Sequence, residues 1–325
     1  MKTDSAWLGA AIALSWRGRG RTAPNPNVGC IILDAQGRVA GRGWTQKGGR
    51  PHAEAMALDL AGAAAHGGTA YVSLEPCAHA STRGPCCTDL LIAAGVARVV
   101  IAMGDPDPRT NGKGMARLRE AGIVVEQGLL AREASAAMAG FLTRQRHLRP
   151  FVTLKLATSL DGRIALPDGT SRWITGDAAR AHAHIERAHH ELILVGRGTL
   201  NADHPQLDVR LPGLRDRSPT RCVLSASGAA PAGWLEIETP AEIAGLPGDH
   251  LLVEGGAETA ASFLADDLID RLLLYRAPIL IGAGKPALGD LGLVDLAEAH
   301  GRWRLTDRRS FTPDLLEVYE RARAD

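Results

Sequence analysis

The sequence predicts two α/β domains in tandem, and three observations carry that reading. Its 325 residues exceed what one hydrophobic core usually organises. Helical patterns alternate with short apolar runs in both halves, as strands covered by helices do. Between the halves, Arg144-Gln145-Arg146-His147-Leu148-Arg149-Pro150 is polar, basic and closed by proline, so the expected domains are 1–146 and 147–325.

The first half begins with a helix over 4–16, with Asp4 or Ser5 as its N-cap and Trp7, Leu8, Ala11, Ile12 and Leu14 as its apolar side. Gly18-Arg19-Gly20-Arg21 ends it. Val28–Leu33 and Val39–Trp44 flank Asp34-Ala35-Gln36-Gly37, which predicts a hairpin. A helix over 52–65 stops at Gly67-Gly68. Thr69–Leu74 reads as a strand, Cys87–Ala94 as a helix and Val96–Ala102 as a strand. Helix, strand and helix follow over 113–121, 123–126 and 130–146, completing a three-layer unit.

In the second half, strands are expected at Phe151–Ala157, with Leu154–Leu160 running into Asp161-Gly162-Arg163, and at Glu191–Val195, Arg221–Leu224 and His250–Val253. Residues 177–190 read as a helix, and Gly255-Gly256 opens another. Leu268–Leu280 predicts a long strand or a strand pair, Trp303–Tyr319 two more strands, and 211–248 mostly loops.

Charge is nearly balanced, 37 Lys and Arg against 36 Asp and Glu, which argues against nucleic acid as partner. No apolar run reaches the roughly 18 residues of a membrane span. The N-terminus lacks the pattern of a signal peptide. Five cysteines, two of them adjacent, do not make a disulfide framework and suit thiolates in a reducing cytoplasm.

Residues 52–86 hold the chemistry. His52 and Glu54 stand at a predicted helix start, Cys77 follows a strand, and Cys86 comes after eight further residues. One His and two Cys leave a tetrahedral zinc an open position, the layout of a catalytic site. A closed structural site would need a fourth ligand, His79 or Cys87, and Cys87 is expected to point elsewhere because it adjoins Cys86. Glu54 is then free to move protons. In the second half, Gly255-Gly256 after a strand reads first as a tight loop, with an anion seat at the helix start as the alternative. His182, Glu186 and His189 or His190 align along one helix, and they read as a solvated polar stripe rather than a metal face.

His-x-Glu followed by Pro-Cys and a later Cys is the pattern of zinc nucleobase deaminases, here with a longer Cys spacing. Asn25-Pro26-Asn27-Val28-Gly29-Cys30, Pro51-His52-Ala53-Glu54, Leu74-Glu75-Pro76-Cys77-Ala78-His79, Pro85-Cys86-Cys87 through Val96, and Asp105-Pro106-Asp107-Pro108 together resemble the riboflavin-pathway pyrimidine deaminases. The resemblance implies a cytidine-deaminase-like fold, one zinc ion on His52, Cys77 and Cys86, and Glu54 as proton carrier. Asn27 would contact the pyrimidine. The substrate would be a phosphorylated diaminopyrimidine.

Lys155 through Arg163, Ser171-Arg172-Trp173-Ile174-Thr175, Gly196-Arg197-Gly198-Thr199, Asp203-His204-Pro205-Gln206-Leu207 and Arg210 resemble the riboflavin reductase family. That resemblance implies a dihydrofolate-reductase-like fold and NADPH. Ser171, Arg187, Leu207, Arg210 and Glu254 would hold substrate. Ala157, Trp173, Thr199, Asp203, Gly256, Ala257, Glu258 and Thr259 would contact the cofactor, with Asp203 as a proton source. The chain departs from the family after Leu224, reading Ser225-Ala226-Ser227-Gly228 where relatives carry an acid, a Ser and soon an Arg.

Together the halves resemble the bacterial bifunctional enzymes of riboflavin biosynthesis, which implies a cytoplasmic homo-oligomer, with a dimer favoured. Three other readings compete. One keeps the deaminase alone on a reductase-like scaffold. Another is a deaminase-fold nucleic-acid editor using Arg17, Arg19 and Arg21. The last is a non-enzymatic zinc module.

Overall fold

A computed structural model describes residues 3–79 and 81–323. The chain divides into two compact units, Met1–Leu148 and Arg149–Asp325.

The first unit is built on a five-stranded sheet. Strands β1 (Gly29–Leu33) and β2 (Val39–Trp44) form the expected antiparallel hairpin. Strand β3 (Thr69–Val72) lies antiparallel to β1, and β4 (Arg98–Ile101) and β5 (Val124–Gln127) extend the sheet in parallel, giving the order β2-β1-β3-β4-β5. β1 is buried along its whole length, which requires cover on both faces. Two glycines show what supplies it. A Cβ on Gly29 would strike the Ala11 carbonyl of helix α1 (Asp4–Ser15) at 1.9 Å. A Cβ on Gly43, opposite the next residue of β1, would strike the Ala53 carbonyl of helix α2 (Ala53–Ala61) at 2.3 Å. The sheet therefore has helices on both faces, the three-layer arrangement expected.

Helices α3 (Cys87–Ala93) and α4 (Lys113–Glu120) follow β3 and β4. The helix expected over 130–146 is two, α5 (Ala131–Ala137) and α6 (Ala139–His147), with Met138 non-helical at φ −104° between them. Asp4 is not an N-cap; Thr3 holds that position. Asp4 instead binds Arg98 and accepts from the Tyr71 hydroxyl at 2.6 Å, tying α1 to β3 and β4. These hydrogen bonds hold its carboxyl down at about 2. Arg19 is 2% exposed with its guanidinium 4.8 Å from the Trp16 ring, and Arg17 lies over Trp44. Of the three arginines, Arg19 is withdrawn from the surface, while Arg17 stays exposed.

The second unit carries an eight-stranded sheet. Parallel strands β6 (Phe151–Thr158), β8 (Leu192–Gly196), β9 (Thr220–Leu224), β10 (Leu235–Ile237), β11 (His250–Val253) and β12 (Arg271–Arg276) stand in the order β10-β9-β8-β11-β6-β12. The antiparallel hairpin of β14 (Trp303–Phe311) and β15 (Asp314–Arg321) completes the sheet beside β12. Strands β7 (Arg163–Ala165) and β13 (Lys285–Pro286) pair separately. Of Leu268–Leu280 only 271–276 forms a strand.

Helix α7 (Asp177–Ala188) does not turn its His182 stripe to solvent. His182 is buried, with Nδ1 at 2.7 Å from the Tyr275 hydroxyl and its ring beside Phe311, so this face packs on the sheet and is no metal face. Helices α8 (Arg197–Asp203) and α9 (Ala257–Ala265) begin at the carboxyl ends of β8 and just beyond β11. In parallel sheets that end is where ligands bind. No helix among the described residues is long and apolar enough to cross a membrane.

Candidate metal centre and reductase site

Three segments converge in the first unit. His52 is the N-cap of α2, so its extended backbone projects the ring beyond the helix. Cys77 lies in the loop after β3, and Cys87 is the first residue of α3. Nδ1 of His52 stands 3.2 Å from Cys87 Sγ and 3.7 Å from Cys77 Sγ, and all three donor atoms lie within 4.8 Å of one another. Zn–N and Zn–S bonds of about 2.0 and 2.3 Å at a tetrahedral angle separate such donors by roughly 3.5 Å. The donor set and its spacing fit zinc. Among the described residues this is the single such cluster.

The third sulfur of this cluster is that of Cys87, and Cys86, the expected ligand, stands beside it at the start of α3. Cys86 is the N-cap of α3, and its thiol donates to the Cys77 carbonyl at 2.8 Å. Cys87, one residue on, is fully buried and turned into the cluster. Its backbone N–H also donates to Cys77 Sγ at 3.3 Å. Hydrogen bonding from Cys87, then from His52, holds the Cys77 thiol well below its ordinary range despite burial. His79 faces Thr110 at 3.3 Å and is not part of the cluster.

Glu54 sits in the first turn of α2, 3% exposed, and lines the same cleft of about 340 Å³ as His52 and Cys77. Burial pushes its carboxyl up, against the charge of His52. Asn27 does not line this cleft. Its amide donates to the carbonyls of Ser15 and Ala137 at 3.2 and 3.0 Å, so it joins helices rather than facing the cleft. Asn25 lines the cleft instead, with Nδ2 at 2.8 Å from His52 Nε2. Sequence reasoning missed it, along with Arg50, Arg83 and Arg109, which bring positive charge to the same cleft.

The family model for the cytidine and deoxycytidylate deaminase zinc-binding region matches residues 1–103, and that for the RibD C-terminal domain matches 150–239 and 241–316. The riboflavin biosynthesis protein RibD of Escherichia coli is 37% identical over 96% of this chain and 98% of its own length. The chain belongs to the RibD family. RibD from Acinetobacter baumannii, 35% identical, superposes with a TM-score of 0.88 over 98% of this chain and 99% of its own. A Thermotoga maritima structure, described as a diaminohydroxyphosphoribosylaminopyrimidine deaminase and 5-amino-6-(5-phosphoribosylamino)uracil reductase, is 30% identical with the same TM-score and coverage.

With both RibD domains matched, the reductase residues can be placed. Arg187, in the last turn of α7, grips Glu254 through Nε and Nη2 at 2.8 and 2.9 Å and donates to the Asp208 carbonyl at 3.0 Å. The two expected substrate ligands thus hold each other at the end of β11. Burial alone would raise the Glu254 carboxyl, but Arg187, with Lys155 nearby, pulls it to about 2. Lys155, half-buried on β6, is a charged neighbour that sequence reasoning passed over; desolvation lowers it while Glu254 opposes. Leu207 is buried with φ +53°, and Arg210 is exposed, facing Asp208 at 3.4 Å. Ser171 lies half-buried in the segment before α7.

Of the residues expected to contact the cofactor, Ala157 is on β6, Thr199 and Asp203 are on α8, and Gly256 to Thr259 form the start of α9. Trp173 is 64% exposed, with Arg180 4.7 Å from its ring. At Ser225–Gly228, Arg197 of α8 donates to Ser225 Oγ at 2.9 Å and to the Gly228 carbonyl at 2.7 Å. A cation from another strand end therefore reaches the loop that lacks its own Arg.

Arg187→Ala leaves Glu254 buried without its main partner, and the second unit is expected to lose about 3–5 kcal/mol. Because the folded pKa of Glu254 is depressed from 4.5 to about 2, the pair's contribution is complete above the unfolded value. It fades as pH falls through about 2. Thermal unfolding of parent and variant between pH 7 and pH 2 should therefore converge at the acid end; a constant gap rules the ion pair out as cause.

Proposed function

We propose that the chain performs two steps of riboflavin biosynthesis in the cytoplasm, as a homo-oligomer with a dimer favoured. Residues 1–146 deaminate 2,5-diamino-6-ribosylamino-4(3H)-pyrimidinone 5′-phosphate hydrolytically, and residues 147–325 reduce its ribosyl chain with NADPH. The product is 5-amino-6-(5-phosphoribitylamino)uracil. The observation that carries this is the convergence of His52, Cys77 and Cys87 with the buried Glu54 in one cleft.

His52, Cys77 and a cysteine at the start of α3, Cys87 as placed, would hold zinc, which would supply a water that ionises near neutral pH. Glu54 takes the first water proton to the ring nitrogen as the oxygen bonds to the ring carbon, then takes the second from the new hydroxyl to the amine, so that the carbon–nitrogen bond breaks and ammonia leaves. Its burial suits it to hold a proton between transfers. Arg83 and Arg50 offer the substrate phosphate planar, two-pronged donors at the same cleft. In the second unit, NADPH would supply a hydride to C1′ of the ring-opened imine, whose nitrogen takes a proton, with Asp203 as its source. Arg187 and Glu254 fix the substrate end of the site, with Ser171, Leu207 and Arg210 around it. Thr199, Asp203 and the Gly256–Thr259 turn take the cofactor beside Ala157 and Trp173, and their position at the strand carboxyl ends supports that assignment.

Incubation with the diaminopyrimidine phosphate tests both steps. Without NADPH, ammonia and the deaminated ribosylamino compound should appear. With NADPH, the ribityl product should appear with matching cofactor oxidation. Ammonia release without any NADPH oxidation would reduce the chain to a deaminase on a scaffold.

A further inference from the structure

We infer that Glu75 is a positioning residue of the deaminase site, an inference that rests on the cleft beside His52 being where the pyrimidine binds. Its carboxylate is 3% exposed, and both oxygens accept from backbone N–H groups of one later segment. Oε2 takes those of Asp105 at 3.3 Å and Gly112 at 3.0 Å, and Oε1 takes that of Met115 at 3.1 Å. A single oxygen therefore ties together the two ends of the 105–112 loop, and the other holds the first turn of α4. The contacts to Gly112 and Met115 replace a missing cap. Gly112 is the N-cap of α4 and has no side chain to satisfy the orphan N–H groups there. A buried carboxylate also answers the positive end of the helix. The fit is close, for a Cβ on Gly114 would strike the Pro76 carbonyl at 2.2 Å.

The loop held in this way forms one wall of the cleft. Asp105, Asp107 and Arg109 line it, and Thr110 Oγ1 lies 3.3 Å from Nδ1 of His79, which lines it too. Inside the loop, Asp107 pairs with Arg109, and Asp105 Oδ1 accepts from the Asp107 N–H at 2.9 Å, so these side chains keep their places relative to one another. Their place in the cleft is set at Glu75. The metal cluster does not hang on the same contacts. Cys77 is fixed from α3, where the Cys86 thiol and the Thr88 hydroxyl donate to its carbonyl at 2.8 and 2.9 Å. Loosening the loop should therefore weaken substrate binding while the metal stays.

The test is Glu75→Gln in the full chain. Glutamine keeps the shape but turns one acceptor into a donor, so an N–H then faces an N–H. One buried donor left unmet should raise KM for the diaminopyrimidine phosphate about 10-fold, with kcat within about threefold of the parent and zinc content equal to it. Amides over 105–115 should exchange with deuterium about 10-fold faster, while the rest of the unit keeps parent rates. If the glutamine chain does not fold, Glu75→Asp takes its place, because the shorter arm keeps the charge but cannot span the same three donors. KM should rise there too. A parent-like KM overturns the inference, whether or not the loop exchanges faster. So does a loss of zinc or of kcat with KM unchanged, which would make Glu75 a support for Cys77 alone. A parent chain that holds zinc yet releases no ammonia sinks the deaminase reading itself; with an active parent and a parent-like variant, only the role of Glu75 falls.

Discussion

Cys87→Ser is expected to strip zinc from the chain and end ammonia release, while Cys86→Ser leaves both near parent levels. Cys87 Sγ lies 3.2 Å from His52 Nδ1 inside the donor cluster. A serine hydroxyl there stays protonated and offers zinc a far poorer ligand than a thiolate, so two donors remain of three. Cys86 makes a hydrogen bond rather than a cluster contact, and serine can also donate to the Cys77 carbonyl. Metal-to-protein ratio and ammonia release, measured on both variants, decide it. Zinc retained in Cys87→Ser and lost in Cys86→Ser would restore the reading made from sequence.

That pair shows where sequence stops. His52, Glu54 and Cys77 were legible because each is tied to an element boundary that local pattern marks, a helix start or the end of a strand. Choosing between Cys86 and Cys87 needed the helix to begin at one residue and not the other. Neighbours at that boundary diverge by about 100° once one is helical. Asn25 and Asn27 posed the same difficulty two residues apart. Asn27 is claimed by the carbonyls of Ser15 and Ala137, the second 110 positions away, and nothing local announces such a partner. Lys155 sits within a strand whose neighbours are apolar, and its charge matters because β11 brings Glu254 beside it. The α7 stripe was misjudged for a related reason. Polarity suggested solvent, but helix docking buried His182 against Tyr275. The α/β alternation survived all this because it depends on periodicity over many residues, which single contacts do not overturn.

Glu54→Gln is expected to keep the zinc and the fold yet lose ammonia release by about 100- to 10,000-fold, the usual contribution of a positioned proton carrier. Glutamine preserves the shape of a 3%-exposed side chain in the first turn of α2 and removes only its capacity to take and return protons. Two protons pass through this one carboxyl in the proposed reaction, each taken up and given out, so no remaining step is spared by partial function. His79 and Asp105 also line the cleft, and a substitute carrier among them would leave the loss small. Zinc content equal to the parent separates a missing proton carrier from a missing metal. The reductase offers an internal control, because the variant given already deaminated substrate should oxidise NADPH at the parent rate. Should that rate fall together with ammonia release, the damage extends beyond the deaminase site and Glu54 is not acting as a local proton carrier. Parent-like ammonia release with bound zinc would place the proton transfers elsewhere in the cleft, with Asp105 next in line because burial raises its carboxyl to about 6.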